Sequence, residues 1–241
     1  DTFTSRLGNA TYVDSNGLIK TSWYNNLPGN NNLVNNWSYY NLSYVLNTGE
    51  FSPFGTTEGV IRVTSAHGGE TLLYTSAANQ AFGSAGTLSI YAKAEEGFTH
   101  LSLVSQSTAT GANSAAVNFD LVNGTITNGP NNSPRNATGE IIDVGNGWFR
   151  CIVRLTHNIA TEHFLINLHT GSDTTMNALG RFSSVSTSTK TALLYGPVYT
   201  NSLTEVGDYF LNINAVTAPP RYSHDPETLV PTGLYLEPAA T

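Results

Sequence analysis

Hydrophobic and polar residues alternate along much of this chain, most clearly from Glu140 to Thr156, EIIDVGNGWFRCIVRLT. Ile141, Ile142 and Val144 form one apolar run, and Trp148 opens another. In that second run Phe149, Cys151, Val153 and Leu155 fall on one side, and Trp148, Arg150, Ile152 and Arg154 on the other. A period of two marks a strand with one buried face. Between the runs lie Gly145, Asn146 and Gly147, and Asn-Gly closes hairpins because both residues tolerate the positive φ of a tight turn. The pattern predicts a hairpin whose Phe149, Cys151, Val153 and Leu155 enter a core. Arg150 and Arg154 are expected near solvent, with Trp148 at the edge of the polar face.

Comparable runs recur at Gly59 to Thr64, Glu70 to Thr75, Gly86 to Lys93, His100 to Ser105, His163 to His169, Lys190 to Tyr195 and Pro197 to Thr200. Ala115 to Val122 meets Thr125 to Thr127 across Asn123 and Gly124, a second Asn-Gly hairpin. Short strands at this spacing, parted by polar turns, predict an all-β fold, an antiparallel β-sandwich or jelly roll over residues 23–213. No helical period emerges beyond one or two turns at Asn201 to Tyr209. Residues 1–22 read as two short strands around a turn at Asp14 to Gly17. A calcium loop at Asp14 and Asn16 would need further oxygen ligands at fixed spacing, and these are missing. Residues 214–241 are punctuated by proline and end in a short strand from Leu234. Such a segment is expected to form an extended arm, packing on a small β base made with the N-terminal segment or on a neighbouring subunit.

The stretch from Trp23 to Asn47 is rich in asparagine and aromatic residues. Trp23, Tyr24, Trp37, Tyr39 and Tyr40 are the candidate carbohydrate-binding residues, joined by Tyr44. Flat rings cover the apolar faces of pyranoses, and asparagine amides reach their hydroxyls. Trp37, Tyr39 and Leu42 also suit the core and edge of a first sandwich strand, and the pattern leaves both readings open.

Charged residues make up only 11% of the chain, with a formal net charge of −7. A phosphate-binding surface needs clustered Lys and Arg, and the ten basic residues are scattered, so nucleic acid is not an expected partner. No run is long and apolar enough to span a bilayer, and no membrane insertion is expected. Cys151 is the single cysteine, which excludes a disulfide within the chain and leaves a buried thiol on an inward strand face as its expected role.

Several blocks resemble structural proteins of tailed bacteriophages. The run DVGNGWFRC resembles their DVGNGWYRC strand pair, which lies in a concanavalin-like jelly roll similar to carbohydrate-binding modules. Thr87 to Lys93, TLSIYAK, resembles TLSVYVK, and VNFDLVNG at Val117 to Gly124 resembles FDLSTG. Residues 16–19 are similar to SGLIE, residues 220–226 to PRYDHDP and residues 233–237 to GLLIEE. In many such proteins these last three blocks are contiguous, whereas here the sandwich lies between them. The resemblance implies a virion surface protein, either a capsid decoration such as cement or head fibre, or a tail fibre component. It further implies a homotrimer that docks on another virion protein, while adhesion to host glycans, the alternative reading as a carbohydrate-binding module, rests on the aromatic residues named above.

Catalysis is not expected. A glycosidase needs two carboxylates converging across a cleft, and Glu140 with Asp143 fits neither spacing nor strand parity. Glu95 and Glu96 sit in an expected turn. His163 and His169 share a strand face but stand six residues apart, roughly 20 Å in an extended strand, too far for one metal ion. No cofactor fingerprint is present.

Overall fold

The computed structural model describes residues 10–13, 19–22, 33–34, 37–78, 85–107, 114–131, 136–156, 161–173, 176–200, 203, 222–224 and 231–234. The expected turn at Asp14 to Gly17 and the expected helical turns at Asn201 to Tyr209, apart from residue 203, lie outside them. The chain divides into two compact units, Asp1–Tyr24 with Asn212–Thr241, and Asn25–Leu211. In the first unit β1 (Ala10–Val13) pairs antiparallel with β2 (Ile19–Ser22). The second unit holds β3 (Ser38–Tyr40), β4 (Ser43–Leu46), β5 (Ile61–Ser65), β6 (Leu72–Ala78), β7 (Ala85–Ala94) and β8 (His100–Ser107). It continues with β9 (Ala115–Asp120), β10 (Thr125–Asn131), β11 (Thr138–Gly145), β12 (Trp148–Thr156), β13 (Thr161–His169) and β14 (Lys190–Thr200). In the first unit again, β15 (Tyr222–His224) pairs antiparallel with β16 (Pro231–Leu234).

The large unit is an antiparallel β-sandwich of two six-stranded sheets, ordered β10-β9-β8-β13-β6-β3 and β11-β12-β7-β14-β5-β4. No helix occurs among the described residues. Alternate residues of both sheets meet in one core, including Leu88, Ile90 and Ala92 of β7 and Leu101 and Leu103 of β8. Phe164 and Ile166 of β13 join them, as do Cys151, Val153 and Leu155 of β12. Phe149 is partly buried against the same cluster. Burial pushes the Cys151 thiol up, so it stays protonated and inert. The β11–β12 hairpin turns on Asn146 at φ 54° and Gly147 at φ 77°.

Two expectations fail on the outer side of β12. Trp148 is 1% exposed, and Arg150 is half-buried with its guanidinium 5.3 Å from the Tyr91 ring centroid. The reason is a second apolar layer of Val60, Tyr91, Trp148, Leu193, Tyr195 and Val198 on the outer face of this sheet. A third correction concerns Lys190 to Thr200, which is one strand rather than two. Its register shifts between Tyr195 and Val198, with Gly196 at φ 60°. A bulge is where a central strand can admit Pro197, because no ladder bond is asked of its nitrogen.

Lys190, at the start of β14, is 1% exposed. Its ammonium donates to the carbonyls of Ser186 (2.6 Å), His67 (3.2 Å) and Ser188 (3.2 Å). Three acceptors satisfy the three donors of an ammonium and offset its loss of water.

Candidate functional site

The connection from β3 to β4, and the loop that follows, carry most of the exposed aromatic surface of the described residues. Trp37 points into the core and is 7% exposed, so it has no face to offer a ligand. Tyr39 follows it inward by strand parity. Its hydroxyl donates to the Leu33 carbonyl (2.5 Å), and its ring stacks on Tyr44 at 4.6 Å between centroids. Burial, reinforced by Tyr44, pushes the Tyr39 phenol up. Tyr40 points to the opposite face of β3 and is 53% exposed. Trp23 and Tyr24 lie outside the described residues. The four described candidates therefore do not share one surface: Trp37 is core, Tyr39 is a half-buried strut stacked on Tyr44, which is 39% exposed, and Tyr40 is free on the opposite face of β3.

Sequence reasoning missed Phe51 and Phe54, which are 66% and 56% exposed on the loop at residues 47–60. Asn47 fastens the base of this loop. Its side-chain oxygen accepts from the Gly59 amide (2.9 Å), and its own amide donates to the Val60 carbonyl (2.9 Å). Ser52 is buried, and its hydroxyl accepts from the amides of Phe54 (3.2 Å) and Thr56 (3.3 Å). The Tyr195 hydroxyl hydrogen-bonds the side chains of Thr56 and Ser52, tying the loop to β14. From β12, the Trp148 indole N–H donates to the Phe51 carbonyl (3.0 Å). Phe54 sets its ring edge-on to Tyr91, with centroids 5.4 Å apart and planes at 80°, and lies 6.1 Å from Tyr195. Edge-on packing of this kind is a favoured aromatic geometry.

The loop thus presents two apolar rings on a backbone that other elements hold still. Such a surface can stack on the apolar face of a sugar or another flat ligand without first being ordered. Polar groups lie close in sequence. Glu50 accepts from Arg62 (3.2 Å), and Thr57 and Glu58 are exposed. The signal that could have found the site is composition. Aromatic residues in a Gly- and Pro-marked loop, GEFSPFG, have no strand face to bury them.

The residues weighed for catalysis are placed elsewhere. Glu140 pairs with Arg154 (2.7 Å) across β11 and β12, and Glu95 with Arg62 (2.8 Å). His163 and His169 share the outer face of β13, and His169 is buried. No group of three or more His, Cys, Asp or Glu among the described residues could hold a metal ion.

No family model matches the chain, and no curated protein matches it in sequence. Among solved structures it is similar to the enzymatically active domain of tailspike protein 4 from bacteriophage CBA120. That likeness has 13% identity and a TM-score of 0.40, and covers 74% of this chain but 21% of the other. A second is TmCBM61 in complex with β-1,4-galactotriose, at 12% identity and a TM-score of 0.31, covering 61% of this chain and 97% of that one. A third comes from carbohydrate-binding modules of the β-sandwich superfamily, at 11% identity and a TM-score of 0.36, covering 80% and 74%.

Proposed function

We propose that this chain is a non-catalytic glycan-binding module worn on the outside of a tailed-phage particle, with Phe51 and Phe54 as its sugar-stacking rings. The observation that carries the glycan reading is the pinned loop, in which Phe51 and Phe54 stay more than half exposed while the Phe51 carbonyl is bonded to β12 and the Ser52 and Thr56 side chains to β14. An exposed apolar ring costs solubility, and a module that meets sugars has a use for it. Tyr40 is a further free ring at the edge of the other sheet. The virion setting rests on the resemblance of DVGNGWFRC, TLSIYAK and PRYSHDP to phage structural proteins.

Affinity electrophoresis through gels containing host envelope polysaccharide tests the sugar reading. Retardation that Phe54→Ala and Phe51→Ala abolish supports it, and unretarded migration on every host glycan overturns it. Antibody-gold labelling of particles tests the setting. Gold over the head means a decoration, gold at the tail means a fibre component, and bare particles overturn the virion assignment.

A further inference from the structure

The sandwich has two long sides, and they are finished differently. On one side lie the neighbouring edge strands β10 and β11. β10 carries Pro130 and a register shift between Asn128 and Asn131. β11 carries Glu140 and Asp143, with a second shift before Gly145. Proline, bulges and charge are the devices by which an edge strand refuses new partners. On the other side lie β3 and β4, joined across the sandwich by the Tyr39–Tyr44 stack. Here there is no proline, bulge or charge. All four residues of β4 are exposed, with Tyr44 at 39%, Val45 at 60% and Leu46 at 40%. Among the described residues no strand pairs with β4 on its open side.

We propose that the open edge of β4 is a self-association surface, and that its occupant is β4 of a second copy, added antiparallel about a two-fold axis through Val45. The hydrogen-bonding phase fits. The Asn47 amide points at β5, donating to the Val60 carbonyl. By strand alternation Val45 and Ser43 also point at β5, opposite Arg62 and Thr64, leaving the amides and carbonyls of Tyr44 and Leu46 aimed outward. An axis through Val45 sets each Tyr44 against the copy's Leu46, a register in which both residues exchange backbone bonds. It also sets Val45 against Val45 in the closer, non-bonded position. Tyr44 and Leu46 meet on one face and the valines on the other, so the three central cross-strand pairs are apolar, Ser43 meets the copy's Asn47 at each end, and the strand complements itself, as a two-fold interface requires.

The self-complementary register selects a second copy as the occupant, and charge permits it: Arg62, opposite Val45 on β5, is paired with Glu50 and Glu95. The chain carries a formal net charge of −7, so two copies repel unless they meet over a neutral surface. From Thr21 to Gly49 there is no Asp, Glu, Lys, Arg or His, and β3 and β4 both fall in that stretch. This inference stands apart from the glycan reading, and it calls for an even-numbered assembly where the phage resemblance implies a threefold one.

Sedimentation equilibrium of the full chain tests it. A concentration-dependent dimer is expected, and Val45→Lys should return it to monomer with an unchanged near-ultraviolet spectrum. Val122→Lys, at a residue 61% exposed on the β9–β10 turn, should leave the dimer intact. Amide exchange needs no substitution: the Tyr44 and Leu46 amides should slow as protein concentration rises, and the Val45 amide should not change. A monomer at every concentration, a trimer, a dimer indifferent to Val45→Lys, or concentration-independent exchange at Tyr44 and Leu46 each overturns the proposal.

Discussion

Both sheets of the sandwich carry a second layer on their outer faces, and the two layers are built from opposite chemistry. Over β13, β8 and β9 the cover is polar. Asn167 donates to the carbonyls of Thr71 (3.1 Å) and Phe182 (3.3 Å) and accepts from the Phe182 amide (2.6 Å). His169 bonds the Asn118 side-chain oxygen (2.8 Å) and stacks on Phe182 at 3.9 Å. Beneath lies only a small apolar patch of Leu72, Val104, Ala116 and Leu165. Over β12, β7 and β14 the cover is aromatic, with Phe54 against Tyr91 and Tyr195 and few hydrogen bonds beyond those that shape the loop. A polar seal works only when every partner is present, because a buried group left alone loses its bond to water as well. An aromatic seal degrades by increments and leaves one ring face free. The first is suited to closing a surface and the second to offering one.

The largest effect expected follows from breaking the polar seal. Asn167→Ala strands the Phe182 amide and removes donors from two carbonyls, and should cost about 4 kcal/mol, read as a fall in the thermal or denaturant midpoint. A gentler probe of the same seal is pH. Burial, seconded by nearby His100, holds the His169 imidazole down to about 4, against the opposing pull of the Thr170 carbonyl and Asp173. Between its unfolded value near 6.5 and about 4 the unfolded chain binds a proton that the folded chain refuses, so stability is full above that window and falls as pH drops through it. The loss is on the order of 3 kcal/mol, and chemical denaturation across this range, with His169→Gln as the flattened control, measures it. Asp120, 3.6 Å from His100, is held below the ordinary carboxylate value. Burial pulls it up, but hydrogen bonds from the Asn123 side chain and the Asn123 and Val122 amides outweigh that, so its titration falls on the acid side of this window in both profiles.

The aromatic seal should respond less. Trp148→Phe keeps a six-membered ring but loses the rest of the indole from a fully buried site, together with the bond to the Phe51 carbonyl, so about 2 kcal/mol is expected from the same denaturation assay. Phe54→Ala removes an edge contact from a ring already 56% exposed, and should cost about 1 kcal/mol or less while abolishing retention by glycan. A Phe54→Ala variant as unstable as Asn167→Ala would erase the distinction between the two layers.

The inward rows were legible in the sequence. Cys151, Val153 and Leu155 of β12 and Leu88, Ile90 and Ala92 of β7 entered the core that their period assigned. What periodicity could not reveal is a cover contributed from far along the chain. Trp148 and Arg150 looked half-solvated because nothing in their own strand announces that a loop some ninety-seven residues earlier, at Phe51, will settle over them. Gly196 and Pro197 split β14 on paper for a related reason: a bulge needs the residues that usually end a strand. At the candidate site, residue type marked Tyr40 but also the buried Trp37, because aromatic content does not reveal which side of β3 a ring takes. Phe51 and Phe54 lie just past the Asn- and aromatic-rich stretch that marked the candidates, on a loop where no strand parity assigns a ring to a face.

The carbonyl cage around Lys190 has a practical corollary. Whereas Lys93 is only partly buried, Lys190 has its amine walled in by the chain itself. An acylating reagent can reach that nitrogen only after the segment bearing Ser186 and Ser188 lifts away. Mass-spectrometric readout of its slow modification would therefore clock how often this corner of the sandwich opens under native conditions.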